Sequence, residues 1–239
     1  MGPPAAGRPD DVAAAEPELM AHGYTHLTSR LGDVVTKQYR GPEAAARCAR
    51  EATVLAAVGG VLPVPPVIAA GPAWLQTGLA PGVHGQDLIA AGLAGPVLAA
   101  CGRMLRRIHQ LPVPPELSRG ASSPGAVLVH GDYGPNNVLL DARASDVTAV
   151  LDWEWAHAGD PVEDLAWCEF ILRLHHPGEV WALDAFYDLY RARPAWPDLH
   201  HAIVDRCRSM LELCQRWEPV GIGVASWTER LATVKTWTQ

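Results

Sequence analysis

Hydrophobic positions follow two spacings along this chain, and the change from one to the other divides it. Between Leu19 and Leu79 they fall in short runs: Leu19–Ala21, Thr25–Leu31, Val34–Tyr39, Val67–Ala70 and Trp74–Leu79. Short runs rich in β-branched residues and bounded by turn residues (His22-Gly23-Tyr24, Gly32-Asp33) predict a small antiparallel sheet, with Trp74–Leu79 as an edge strand. One helix interrupts it. Pro42 suits a first helical position, and Ala44, Cys48, Ala52 and Leu55 then recur at helical spacing to about Val58.

Beyond Ala80-Pro81-Gly82 the spacing lengthens. Gln86–Leu93 predicts a short helix, and Gly95-Pro96 opens another in which Val97, Cys101, Met104, Ile108 and Leu111 share one buried side. His109 closes that helix, where a positive side chain suits the dipole. Three short apolar runs follow, Ala126–Val129, Val138–Leu140 and Val147–Leu151, read as strands around a polar turn at Tyr133–Asn137. Asp160-Pro161-Val162-Glu163 has the residues of a capping box and starts a helix that runs to His175. Glu179–Arg191, Pro197–Trp217 and Val224–Trp237 predict three more helices, the middle one placing Cys207 and Cys214 in core. The fold class is α+β.

Composition narrows the setting. At 239 residues, 49% hydrophobic, the chain has enough apolar material for one large or two small domains. A formal charge of −7 argues against nucleic acid or an anionic membrane surface as partner. The five cysteines form no CxxC pair and read as buried thiols of a reducing compartment. No apolar run approaches the ~20 residues of a membrane span, and residues 1–17 show no signal-peptide core and read as a disordered tail. The expected location is the cytoplasm. The adjacent pairs His175-His176 and His200-His201 read as surface or cap residues, since neighbours on a helix diverge and no Cys or Asp completes a usual metal set.

The chemistry gathers at the strand ends. Asp132, Asn137 and Asp152 each stand where an apolar run stops, on loops that a rigid scaffold would hold. Phosphoryl transfer needs such groups: a carboxylate to orient and deprotonate a hydroxyl, and hard oxygen ligands to hold Mg²⁺ against the phosphates. The same residues admit a His/Asp metal-dependent hydrolase, or turn residues satisfying loop amides.

His130-Gly131-Asp132 through Asn137, followed by Asp152-Trp153-Glu154 and by Gly159-Asp160-Pro161 through Asp164-Leu165-Ala166, resembles the aminoglycoside phosphotransferase and choline kinase superfamily. That resemblance implies a two-lobed, protein-kinase-like fold. A nucleotide-binding lobe (residues 18–80) would carry the small antiparallel sheet and a helix, and a larger, mainly helical lobe (residues 81–239) would carry the catalytic loop and acceptor site. It implies Asp132 as catalytic base and Asn137 and Asp152 as Mg²⁺ ligands, with His130, Glu154 and Asp164 in support. Lys37, held by Glu51, would contact the phosphates of ATP or GTP, and backbone groups near Gly78 and Leu79 would face the base. The glycine turn between the first strands is reduced to Gly23, with Tyr24 or Thr25 as amide donors. Glu163, Glu169, Glu179, Asp184 and Asp188 lie in the region that forms the family's acceptor site. They would either attract an amine or form solvated helix faces. The implied activity is phosphorylation of a hydroxyl on a small molecule, whether aminoglycoside-like, another amino-alcohol, a natural product or a cationic compound, by a monomer or homodimer, with antibiotic resistance among the roles. A non-catalytic nucleotide-binding regulator of the same fold is the alternative, ahead of the hydrolase.

Overall fold

The computed structural model describes residues 17–20, 26–118, 125–218 and 220–238. The expected tail before residue 17 and the Gly23 turn lie outside them. The first lobe is a five-stranded sheet: β1 (Glu18–Leu19), β2 (His26–Leu31), β3 (Val34–Tyr39), β4 (Val67–Gly71) and β5 (Trp74–Gly78), ordered β1-β2-β3-β5-β4. The β2–β3 hairpin turns at Gly32-Asp33, where Gly32 takes a φ of 58° that a side chain disfavours. Helix α1 (Ala44–Val58) lies against this sheet and buries Arg47, Cys48, Glu51, Val54, Leu55 and Val58, one face at three- and four-residue spacing. Trp74–Gly78 is interior, not an edge, because β4 pairs along its far side.

The second lobe is mainly helical. Val83–His84 (β6), Gly85–Ala90 (α2) and Ala94–His109 (α3) enter it, and α3 buries Val97, Leu98, Cys101, Leu105 and Ile108. The three central runs form strands, β7 (Val127–Val129), β8 (Val138–Leu140) and β9 (Val147–Val150), but not one sheet. β8 pairs with β9 and β6, whereas β7 pairs with β10 (His157–Gly159), a stretch too short to read from its pattern. Four helices complete the lobe: α4 (Val162–His175), α5 (Leu183–Tyr190), α6 (Trp196–Trp217) and α7 (Ile222–Val234). The helix expected over Glu179–Arg191 is split, its first part being a 3₁₀ segment that Pro177 opens. Asp160 and Glu163 make the anticipated reciprocal cap, accepting from Val162 N and Asp160 N at 2.9 Å each.

Several contacts join the lobes, among them a packed ring and a buried ion pair. The ring of Trp217, at the end of α6, sits against Gly41, where a Cβ would lie 2.5 Å from ring carbons. Arg47 of α1 reaches Glu154 of the second lobe, with Nη1 to Oε2 at 2.6 Å and both side chains buried. No helix among the described residues is long and apolar enough to cross a membrane.

Candidate active site

Strand alternation aims the first functional group. Along β3, Lys37 and Tyr39 are buried while Gln38 between them is exposed, so Lys37 faces α1 and the gap between the lobes. Glu51 Oε2 accepts from Lys37 Nζ at 2.6 Å and from the Tyr39 hydroxyl at 2.5 Å. Lys37 also donates to Asp152 Oδ1 at 2.5 Å, across the two lobes. Asp152 follows β9 with a φ of 66°, a left-handed turn that Asp tolerates better than most residues. Burial would push its carboxyl up, but the Lys37 ammonium and its hydrogen bond, with His26, hold it at about 2. Burial would likewise lower Lys37, and the Asp152 and Glu51 carboxylates reverse that, so the ammonium stays charged.

The loop carrying Asp132 is fastened from below. Asp164, fully buried on α4, accepts from His130 N at 2.7 Å and Gly131 N at 2.8 Å, and its Oδ2 lies 3.0 Å from His109 Nε2. His130 Nδ1 accepts from Asp132 N at 3.2 Å, which puts the ring proton on Nε2, 2.9 Å from the Leu151 carbonyl. Burial lowers the His130 pKa and keeps the ring neutral. Gly131 has a φ of 81°, and a Cβ there would meet the Trp155 carbonyl at 2.6 Å. Both conditions explain glycine at this place in the loop.

Asp132 is held at both oxygens. Oδ2 accepts from Asn137 Nδ2 at 2.7 Å, and Oδ1 from Trp167 Nε1 at 2.5 Å. Burial first, then the Asp152 charge, raise its pKa to about 6, against the Trp167 and Asn137 bonds and the Arg206 guanidinium. The Asn137 amide nitrogen also donates to the Asp132 carbonyl at 2.8 Å, so its oxygen is the end left to accept or to coordinate. An ionised carboxylate and an amide oxygen are hard donors of the kind Mg²⁺ takes, and the two residues line one cavity. His26 and Glu154 bring ligand-capable atoms within 4.8 Å of Asp152. Glu154, however, is already ion-paired to Arg47, and burial lowers His26 to about 4.

Lys37, Glu51, Gly78, Leu79, Asp132, Asn137, Asp152 and Glu154 all line this cleft of about 740 Å³, while His130 and Asp164 lie beneath its floor. One expectation changes in detail. The Gly78 and Leu79 amides donate to the Pro66 and Asp33 carbonyls at 2.9 and 2.8 Å, so neither N–H is open to a base. The two residues and the neighbouring Ala80 remain on the cleft wall.

The acids after Asp152, readable as an amine site or as solvated helix faces, stand away from the far end of the cleft. Of the five carboxylates named for an acceptor site, none lines it. Glu169 is buried against Arg173 and Tyr187, Glu163 bonds His157 and its own cap, Glu179 accepts from Trp181, and Asp184 and Asp188 line a separate surface depression. Helical periodicity places a residue on a face but does not say which neighbour covers that face. Cys214, expected in core, is half-buried on the cleft wall. Trp155, Trp167, Phe170, Trp227, Arg206 and Arg230 line this end instead. Arg47, Trp167 and Arg206 escape a reading of the sequence. For Arg47 alone a signal exists, since it stands one helical turn before Glu51 on the same face.

Comparison with known proteins bears on the family and the fold. A family profile described as "Phosphotransferase enzyme family" matches residues 18–125 and 114–200. Among solved structures, the GDP and kanamycin complex of APH(2")-IIia superposes with a TM-score of 0.70 at 13% identity, covering 94% of each chain. Aminoglycoside-3'-phosphotransferase of type VIII gives 0.63 at 22% identity, over 80% of this chain and 93% of that one. A choline/ethanolamine kinase family protein from Mesorhizobium loti gives 0.61 at 18%, over 94% and 88%. At these identities the likeness is one of fold, which is the two-lobed, kinase-like arrangement. Two curated relatives match over short stretches. Human acyl-CoA dehydrogenase family member 11 is 32% identical over 91 residues, 38% of this chain and 11% of that protein. Mouse acyl-CoA dehydrogenase family member 10 is 45% identical over 40 residues, 17% and 4% respectively.

Proposed function

The chain belongs to the phosphotransferase enzyme family, and from that premise we propose that it transfers the γ-phosphoryl group of ATP or GTP to a hydroxyl of a small molecule. One observation carries the proposal. Lys37 is held between Glu51 and Asp152 at the wall of the cleft that Asp132 and Asn137 also line. Solved neighbours include complexes with GDP, ADP and ATP, which supports a nucleotide as the donor.

In the reaction, Asp132 orients the acceptor hydroxyl. The hydroxyl oxygen bonds to the γ-phosphorus as the bond from that phosphorus to the β–γ bridging oxygen breaks. The hydroxyl proton passes to the Asp132 carboxylate, and the nucleoside diphosphate leaves with the electron pair of the broken bond. Trp167 and Asn137 keep the carboxylate from rotating, and Lys37 offers its ammonium to the phosphates. Asn137 and Asp152 would hold Mg²⁺, whose charge neutralises the phosphate oxygens when it is bound.

The base must be ionised to work, and this sets a pH dependence. With Asp132 at about 6 in the free protein, kcat/KM falls as pH drops through that value and levels off above it. The Asp152 charge that helps raise Asp132 would be offset by a cation held there, so the kcat profile would break at lower pH. Profiles measured from pH 5 to 8 check this, and a flat kcat/KM across that window contradicts it.

The reading is tested by incubating the protein with γ-labelled Mg·ATP or Mg·GTP and a panel of hydroxylated compounds that includes kanamycin and choline. The expected result is a phosphate ester that forms only when nucleotide, metal and acceptor are all present. Hydrolysis of an ester without nucleotide would instead favour metal-dependent hydrolase chemistry.

A further inference from the structure

The acceptor end of the cleft has chemistry of its own. Trp167, Phe170 and Trp227 stand as near-parallel rings, Trp167 on Phe170 at 4.4 Å and Trp227 at 6.1 Å from Trp167. Met210, Leu213 and Ile222 continue the apolar wall. Such a surface favours a ligand with an apolar body, since every ring face and methyl removed from water adds to binding.

The charges at this end are positive. The Arg206 guanidinium lies 5.2 Å from the Trp155 ring and 5.6 Å from that of Trp167, and Arg230 lies 4.5 Å from Trp227. Ring faces are where a ligand ammonium would gain cation–π attraction, and here the protein's own cations already sit close to them. Among the described residues neither arginine forms an ion pair. Arg206 donates to the Gly131 carbonyl at 2.9 Å and shares its charge with Asp132, while its buried Nε–H has no partner. Among the described residues, Glu218 is the one carboxylate lining this end away from the catalytic loop. A polycationic ligand would therefore meet two guanidiniums and a single acid.

We infer that the acceptor is a hydroxylated molecule with an apolar body and a carboxylate, its hydroxyl at Asp132 and its carboxylate read by Arg230, and not a polyamine such as an amino-sugar. The inference rests on the phosphoryl-transfer reading and adds the substrate class to it. An Arg–carboxylate contact is the strong, charge-assisted kind of hydrogen bond. Arg230 suits the task because no hydrogen bond to another described side chain restrains it.

The test uses matched probes. 4-(Hydroxymethyl)benzoate and 8-hydroxyoctanoate are each compared with the carboxamide and with the amine in which –CH₂NH₃⁺ replaces the carboxylate, and kanamycin serves as the polyamine. Quenching of the cleft tryptophans measures affinity for the 239-residue protein saturated with Mg·ADP, and ADP release with Mg·ATP measures turnover. The expected order is carboxylate, then carboxamide, then amine. In the Arg230→Gln protein the advantage of carboxylate over carboxamide falls by about 10- to 100-fold, the range expected on losing a charge-assisted bond, and carboxamide affinity falls by less than carboxylate affinity does. Tighter binding of the amines or of kanamycin overturns the inference, as does the absence of any order among the probes. Failure of the underlying reading is separable, because it appears as no Mg-dependent nucleotide binding before any acceptor is added.

Discussion

Asp132→Asn protein turns over about 10²–10⁴ times more slowly than wild type, the range for loss of a general base, yet still binds Mg·nucleotide. The two effects separate because the residue has separate duties. It takes the hydroxyl proton, but it is not among the groups assigned to the phosphates or the metal. Its oxygens accept from Asn137 and Trp167, so the new amide keeps one of those bonds and opposes the other with a donor. That mismatch costs about 1–3 kcal/mol, the usual penalty for a buried polar group without its partner. Removing a carboxylate that burial already disfavours offsets part of it. Steady-state rates with saturating Mg·nucleotide, beside a denaturation midpoint, check both halves. Turnover at the wild-type rate would refute the base assignment.

Asp164→Ala has the second large effect, on stability as well as rate. The side chain is wholly buried and serves His130 N, Gly131 N and His109. With alanine, two backbone donors lose their acceptor in a place water does not reach. A loss of about 3–5 kcal/mol is expected, comparable to breaking a buried ion pair by removing one partner. Because the loop that carries Asp132 hangs from those two bonds, the residual folded protein also loses activity. Urea unfolding of the two proteins measures the difference. A midpoint within error of wild type would show that Asp164 does not hold the loop.

Much of this was legible from residue order. Short β-branched runs gave the β2–β3–β5 core of the sheet, and the i, i+3, i+4 stripes gave α1, α3 and α6, each of which buries one face, while α4, buried on every side, was marked by its capping residues. The motif residues were legible for a different reason: Asp132, Asn137 and Asp152 are polar groups at the ends of apolar runs. What stayed hidden depends on neighbours distant in sequence. Arg47 stands one helical turn before Glu51, but its buried partner, Glu154, comes from the other lobe. Trp167 lies on an apolar helix, and only the packing of α4 beneath the loop brings its N–H to Asp132. The acids after Asp152 left an amine site and solvated helix faces both open, and local partners engage Glu163, Glu169, Glu179 and Asp184. Strands β6 and β10, of two and three residues, are too short to carry a period.

Whether Asp152 and Lys37 form a metal–nucleotide site is measured most directly by following the thermal midpoint of wild-type and Asp152→Asn proteins while titrating ATP or GTP, with and without Mg²⁺. A ligand that binds only the folded state raises the midpoint by mass action. Wild type should rise with Mg·nucleotide and much less with nucleotide alone, and the variant should lose the Mg-dependent part. Equal shifts in the two proteins, or no shift with either nucleotide, would contradict the account.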